Sequence, residues 1–101
     1  MITTTGLNVF GNAIVGVLDH GAVITNGATE IVSIYKTEVV GNEVRIYLLF
    51  DGSYSGTMTS FKLRNAANQV LVEQADNVDK IYNKLLLVTF KITLTERVVT
   101  N

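Results

Sequence analysis

The sequence predicts an α+β fold that is mainly β, with an antiparallel sheet or a compact β-sandwich and one N-terminal helix. Three observations support this prediction. Apolar residues near the N-terminus recur at three- and four-residue steps, the spacing of one helix face. Runs rich in Val, Ile, Tyr and Thr follow, separated by short turns that contain Gly or Asn. The last run, residues 86–94, alternates so that one face is wholly apolar.

The predicted helix follows Thr5, a residue type that suits the N-cap position. Its apolar face consists of Leu7, Phe10, Ala13, Ile14, Val17 and Leu18. We expect the helix to end before Gly21, since glycine readily takes the left-handed position after the last turn. Gly11 and Gly16 weaken the helix but allow another backbone to approach closely. The alternative is one or two strands within residues 9–17.

A β-hairpin is predicted after the helix. Residues 26–27 (NG) form a strong turn signal. Residues 29–40 favour a strand, and residues 43–50 alternate apolar and other side chains. The tight turn at residues 41–42 joins these two segments, which should therefore pair in antiparallel fashion.

A second hairpin is predicted from residues 57–64 and 69–75, joined by a turn at residues 65–68. Residues 76–83 are polar and are expected to form a turn before the last strand. We expect the tail, residues 97–101, to be loosely held, because chain ends without packing partners are poorly ordered.

The composition predicts one domain, residues 1–101, that is apolar for its size. Hydrophobic residues make up 48% of the chain and charged residues only 17%, against roughly 25% charged residues in an average globular domain. The net charge is −1, and the eight basic residues form no run. Nucleic-acid binding depends on clustered Lys and Arg, so we expect no nucleic-acid partner.

Cysteine is absent from the chain, which excludes disulfides and thiolate metal sites. The N-terminal residues lack the basic region and apolar stretch of a secretory signal. The densest apolar runs, residues 46–50 and 85–88, are far too short to cross a bilayer. These features predict a protein without a membrane partner, located in the cytoplasm unless it is carried into a larger particle.

The single histidine is the first place to look for catalysis. His20 follows Asp19 and could belong to a Ser-His-Asp triad. The candidate nucleophiles are Ser33, Ser53, Ser55 and Ser60. Adjacent side chains usually point apart, and no nucleophile-elbow motif is present. We therefore interpret the pair as a polar helix end, where a histidine also suits the helix dipole.

A carboxylate group at Glu73, Asp76 and Asp79 is the candidate for a hard cation such as calcium. Its spacing does not match the calcium-binding loop of an EF-hand, which needs regular acidic positions and a central glycine. A solvated turn explains it better. We thus predict no catalytic, cofactor-binding or metal-ligating residues, no cofactor, and a protein that is not an enzyme.

Tyr54 lies in a loop rich in Gly and Ser and is the tyrosine that best fits an exposed binding residue. It supports an alternative function, a β-sandwich module that binds carbohydrate or a small ligand. The lack of Trp counts against this alternative, since Trp is a favoured stacking residue.

The order of these segments resembles small tail and tail-fibre attachment domains of bacteriophages. Residues 3–7 (TTTGL) and the helix after them match the start of such domains, and a hairpin region follows. Residues 65–71 (NAANQVL), Lys80 and residues 85–94 match their turn, lysine and long final strand. Where those domains carry Glu-Ile-Gly-Leu-Phe, this chain has residues 60–64 (SFKLR), and Asn68 replaces their turn glycine.

The resemblance implies a non-catalytic structural protein of a phage or prophage tail. Such a protein would assemble as a homo-oligomer, contact other virion proteins and reside in the virion after assembly in the bacterial cytoplasm. The low charge and the apolar last strand agree with a subunit that has large interfaces. The expected interface residues lie on the helix and around the last strand: Leu7, Phe10, Ile14, Leu85 and Leu87.

Overall fold

The computed structural model describes residues 1–95 and consists of one helix followed by six strands. The helix α1 covers Thr4–Val17. The strands are β1 (His20–Thr25), β2 (Ala28–Val40), β3 (Glu43–Phe50), β4 (Gly56–Arg64), β5 (Val70–Lys80) and β6 (Leu86–Thr93). The expectation for residues 97–101 lies outside the described residues.

All six strands belong to one antiparallel sheet in the order β5-β4-β1-β2-β3-β6. The predicted α+β, mainly β class is confirmed, and a single sheet is present in place of two packed sheets. The two outer strands, β5 and β6, are consecutive in the chain and joined by residues 81–85. Five strand spacings of about 4.8 Å would separate them by roughly 24 Å in a flat sheet, beyond the roughly 20 Å reach of this connection. The sheet therefore curls, bringing its two edges towards each other.

The core lies inside this curl. On β3 every second side chain is buried, which is the alternation that the sequence predicts for this segment. Ten apolar side chains from five strands form the core cluster: Val23, Val32, Val44, Ile46, Leu48, Phe50, Met58, Phe61, Leu63 and Phe90. The rings of Phe50 and Phe61 meet edge to face with centroids 5.9 Å apart, a favoured aromatic geometry.

The predicted helix is present, but both of its ends differ from the prediction. The N-cap is Thr3, whose hydroxyl accepts a hydrogen bond from the Gly6 amide at 3.0 Å, so Thr5 lies inside the first turn. The C-cap is Leu18, which already has an extended backbone. Gly21 lies in β1 and is buried. A side chain there would come within 2.7 Å of both methyl groups of Leu48, so close packing explains this glycine.

The strand β1 and the second half of β5 are the main differences from the predicted strands. Residues 19–21 were expected to end the helix and residues 22–25 were assigned to no element, yet residues 20–25 form a central strand between β2 and β4. Residues 76–80 were expected in a turn but continue β5. Asp76 and Asn77 together face Thr59 alone, which is a β-bulge. Because the bulge interrupts the alternation of side chains, the sequence pattern of residues 76–80 does not predict a strand.

The predicted turns agree well with the backbone. Asn26 and Gly27 both have positive φ angles, 50° and 82°, as the two-residue hairpin turn of an Asn-Gly pair requires. Asn68 also has a positive φ, 62°, a conformation that asparagine tolerates better than most residues. Within residues 1–95, no helix combines the length and the hydropathy needed to cross a membrane.

Candidate functional surfaces

His20 lies beside Ser33, one of the four candidate nucleophiles. His20 begins β1, and its Nδ1 lies 2.7 Å from Asp19 Oδ2. Ser33 and Arg64 are its direct neighbours on the two adjacent strands. His20 is therefore the first residue of a strand, and the expectation that it ends the helix is wrong.

This arrangement lacks the contact that nucleophilic catalysis needs. His20 Nε2 is buried and has no hydrogen-bond partner among the described residues, so it does not accept a hydrogen bond from the Ser33 hydroxyl. A nucleophile and its base must lie within hydrogen-bond reach. Two of the other serines bond elsewhere: Ser53 donates to Asp51 and Ser60 donates to Glu73. The structure thus provides an oriented histidine without an attached nucleophile.

The three carboxylates on β5 are spread along the strand. Glu73 accepts a hydrogen bond from Ser60 at 3.0 Å and lies 3.9 Å from the ammonium group of Lys62. Asp79 accepts from Thr57 at 3.0 Å, at the other end of the strand. In the part of the chain that the structure describes, no three His, Asp or Glu side chains converge on a possible metal position.

The clearest buried charge is Lys80, the last residue of β5, which is 5% exposed. Its ammonium group donates to the carbonyl oxygens of Tyr54 at 3.0 Å and Ile81 at 2.9 Å, and also to that of Lys84. The amide of Asn83 donates to the Gly52 carbonyl at 3.2 Å. These bonds hold the β3–β4 loop against the β5–β6 turn. Lys80 thus stabilises the connection between the two outer strands, β5 and β6, at one end of the curled sheet.

A cavity of about 180 Å³ lies beside Lys80. It is lined by residues of the β5–β6 connection: Asp79, Lys80, Ile81, Lys84, Leu85 and Leu86. Pockets for drug-sized ligands usually measure about 300–1,000 Å³. The ammonium group of Lys80 is already bonded to three carbonyl oxygens, so it is not directed at a ligand.

Tyr54 is partly buried, whereas its Gly- and Ser-rich loop predicts an exposed residue. Its hydroxyl donates to the Ile31 carbonyl at 3.2 Å, and its ring meets Phe50 edge to face at 5.2 Å between centroids. Burial raises the pKa of the Tyr54 hydroxyl, and the nearby Glu30 and Asp51 add to the effect. The residue is partly buried and packs against the core.

The outer face of β2 and β3 carries a group of paired charges. Arg45 donates two hydrogen bonds to Glu43, at 2.7 and 2.9 Å, and Lys36 lies 3.3 Å from Glu38. A hydrogen bond from Tyr47, followed by one from Lys36, holds the pKa of Glu38 below its ordinary value. These paired charges make this face of the sheet hydrophilic. Exposed ion pairs of this kind contribute little to stability.

The helix presents apolar side chains on two opposite sides. Ile14, Val15 and Leu18 pack against the core, and Gly11 touches β2 and β3. Leu7 is half-buried. Four apolar residues point away from the sheet and are exposed: Val9, Phe10, Ala13 and Val17. We call these four residues the outer helix face.

A second exposed apolar surface surrounds the start of β6. Leu85 is 72% exposed and Leu87 is 51% exposed. Leu87 lies directly opposite Leu49 on β3, and Ile81 and Tyr82 are exposed in the preceding turn. We call Leu49, Ile81, Tyr82, Leu85 and Leu87 the β6 patch.

Of the five expected interface residues, three are therefore exposed and two are not. Phe10, Leu85 and Leu87 are available to a partner, and their role in an interface stays a prediction. Ile14 packs on the protein's own core and Leu7 is half-buried, so both belong mainly to the contact between helix and sheet. Val9, Ala13 and Val17 are the exposed helix residues that the expected interface omitted.

Comparison with protein-family models, with curated proteins and with solved structures finds no match to this chain.

Proposed function

We propose that this protein is a non-catalytic structural subunit that self-associates and contacts other proteins of an assembly, as in the phage tail domains that it resembles. The observation that carries the proposal is the pair of exposed apolar surfaces. A domain of this size has one small core, and contiguous exposed apolar surfaces mark interaction sites in small soluble proteins. Charge depletion is typical of interface cores, and residues 1–18, which include the helix, carry no charged side chain.

Two residues that were compared with the phage tail domains have a structural role in this fold. Asn68 occupies the place of the turn glycine in the resembling domains, and its φ of 62° is one that glycine adopts easily. Lys80 matches the lysine before their final strand, and here it bonds three carbonyl oxygens that position that strand. Both residues thus have structural reasons to recur in a fold of this kind. We infer a virion or prophage particle as the place where the subunit functions.

The first test is the solution mass by light scattering on a sizing column, measured over a dilution series. We expect a mass that is a multiple of the 11.0 kDa chain. A closed ring would keep this mass on dilution. A monomer of 11.0 kDa at the highest concentration would refute self-association.

Variants can assign an oligomer to one surface. Leu87→Lys places a charge on the β6 patch and should lower the mass if that patch is the interface. Val40→Lys is a matched control, because Val40 is 50% exposed and lies outside both surfaces. An equal loss of mass in both variants would show that general apolar contact, not the β6 patch, holds the oligomer together.

A further inference from the structure

Two buried side-chain nitrogens within residues 1–95 have no hydrogen-bond partner, and they belong to neighbouring residues. They are His20 Nε2 and Arg64 Nε. His20 on β1 lies directly opposite Arg64 on β4. Residues in this relation project from the same face of a sheet, with Cβ atoms about 4.5–5.5 Å apart. Since a buried polar atom without a partner is destabilising unless an ion or a water molecule binds it, this pair indicates a binding position.

The two residues belong to a row of three polar side chains across the sheet. Ser33 on β2 lies directly opposite His20 on its other side, so Arg64, His20 and Ser33 follow one another across β4, β1 and β2. We call these three residues the polar row. The His20 side chain, in the middle, is only 15% exposed, whereas Ser33 is exposed. The row is therefore accessible to solvent from the side of β2.

The carboxylates near the polar row are bound to other groups. Asp19 Oδ2 lies 2.7 Å from His20 Nδ1, and the Asp19 amide donates to the Arg64 carbonyl at 2.8 Å. Glu73 lies 3.9 Å from the ammonium group of Lys62, the next residue of β4 on the same face as Arg64. With the His20 ring protonated, three positive and two negative charges are present here. One positive charge therefore has no counter-charge among these residues.

Arg45 shows how a guanidinium group of this sheet is bound when a carboxylate is beside it. It donates two hydrogen bonds to Glu43, at 2.7 and 2.9 Å. No ion pair joins Arg64 to a carboxylate of the described residues. The planar fork of a guanidinium group matches the paired oxygens of a carboxylate or a phosphate. Arg64 thus has the geometry for an anion that the described chain does not supply.

We propose that the polar row binds an oxyanion, the charged group of a carboxylate or a phosphate. Arg64 donates through its guanidinium group, and the Ser33 hydroxyl donates from the exposed side. Because Asp19 accepts from His20 Nδ1, a proton added to the ring is carried by Nε2, which then donates as well. The site lies on the outer face of the sheet and does not depend on the self-association proposed above.

The single histidine of the chain provides the measurement. Its ring nitrogens give unambiguous NMR signals in the ¹⁵N-labelled full chain, at about pH 6, where an ordinary histidine is largely protonated. Sodium acetate, sodium phosphate and sodium chloride are added separately at matched ionic strength. We expect a saturable shift of Nε2 with a Kd on the order of 1–10 mM. The anion that binds more tightly, acetate or phosphate, identifies the chemistry of the ligand. The same shift in sodium chloride would indicate screening alone and would overturn the proposal.

Arg64→Gln and Arg45→Gln are the matched variants, since each removes one guanidinium group from the sheet. Arg64→Gln should weaken binding at least about tenfold, because charge-assisted hydrogen bonds are lost. Arg45→Gln should change the affinity less than about twofold, because its guanidinium group is bound to Glu43. Equal affinity of Arg64→Gln and the unmodified chain would overturn the proposal.

The amide spectrum of each variant shows whether it folds. If Arg64→Gln does not fold, Ser33→Ala decides, because this exposed position tolerates the change. Loss of one neutral hydrogen bond should weaken binding by roughly two- to tenfold. An unchanged affinity in Ser33→Ala would then overturn the polar row as the binding site.

Discussion

Gly11 and Gly16 lie in the same helix but have opposite surroundings, which makes them a matched pair for testing how the helix packs. A Cβ atom at Gly11 would lie 2.5 Å from Val39 Cγ1, 3.3 Å from Val39 Cγ2 and 3.4 Å from Val44 Cγ2. A Cβ atom at Gly16 would have no neighbour within 4 Å. Neither glycine has a positive φ angle, so alanine fits the helical backbone at both sites.

Gly16→Ala should stabilise the protein by about 0.5–1 kcal/mol, the usual gain when alanine replaces glycine inside a helix. Gly11→Ala makes the same gain but forces the helix away from Val39, and overpacking typically costs about 1–3 kcal/mol. Since Val39 is β-branched and stiff, rotation cannot remove the clash easily. The two variants should therefore differ in free energy of unfolding by about 1–3 kcal/mol, with Gly11→Ala the less stable.

Urea unfolding followed by circular dichroism measures this difference, at one protein concentration because self-association adds to apparent stability. The double variant Gly11→Ala/Val39→Ala is the control. Removing the Val39 methyl groups makes room for the new side chain, so Gly11→Ala should become stabilising in that background. Equal stabilisation by the two single variants would show that the helix does not press on β2 at Gly11.

Substitutions at three further positions test the loops and the turn. Lys80→Met should destabilise the protein by about 1–3 kcal/mol, measured by urea unfolding, because three carbonyl oxygens lose their donor; an unchanged midpoint would contradict its fastening role. Asn68→Ala should cost about 1 kcal/mol and Asn68→Gly almost nothing, since the φ of 62° penalises alanine; equal thermal midpoints would contradict the left-handed turn. Hydrogen bonds from Ser53, the hydroxyl first and then the amide, hold the pKa of Asp51 below its ordinary value of 3.8. The stability from Asp51 is therefore present above pH 3.8 and lost as the pH falls through the lowered pKa, so Asp51→Asn should weaken the protein at neutral pH and flatten its acid unfolding profile.

The turns could be predicted from the sequence because their signals are local. An Asn-Gly pair requires positive φ at both residues, and Asn26 and Gly27 have it. The alternation on β3 follows from a strand with one face on the core. In these places the conformation of the backbone follows from residues that are adjacent in the sequence.

The strand β1 could not be predicted in this way because it is central to the sheet. Ala22 and Val23 point to opposite faces, yet both are fully buried. Ala22 lies between Ile31 on β2 and Lys62 on β4; these larger neighbours cover the outer face at this point. Alternation disappears when both faces are covered, and the covering residues are distant in the sequence.

The candidate interface could be predicted only in part, because the helix has apolar residues on both sides. Sequence spacing groups Leu7, Phe10 and Ile14 as one stripe, but it does not show which edge of the stripe faces the sheet. Gly11 decides this orientation, since its missing side chain lets the helix approach Val39. Phe10 is left outside as a result. Gly16 lies in the same helix and has no neighbour within 4 Å, so a glycine by itself does not mark the buried side.

The apolar outer helix face follows from how the curled sheet uses the remaining residues. The ten core side chains fill the interior of the sheet from the strands alone, so the helix covers only one end of it through β2 and β3. A helix that is apolar on one side buries its apolar face through one such contact. A helix that is apolar on two sides is typical of a helix packed between two partners. The fold supplies the sheet as one partner and leaves the other side of the helix exposed.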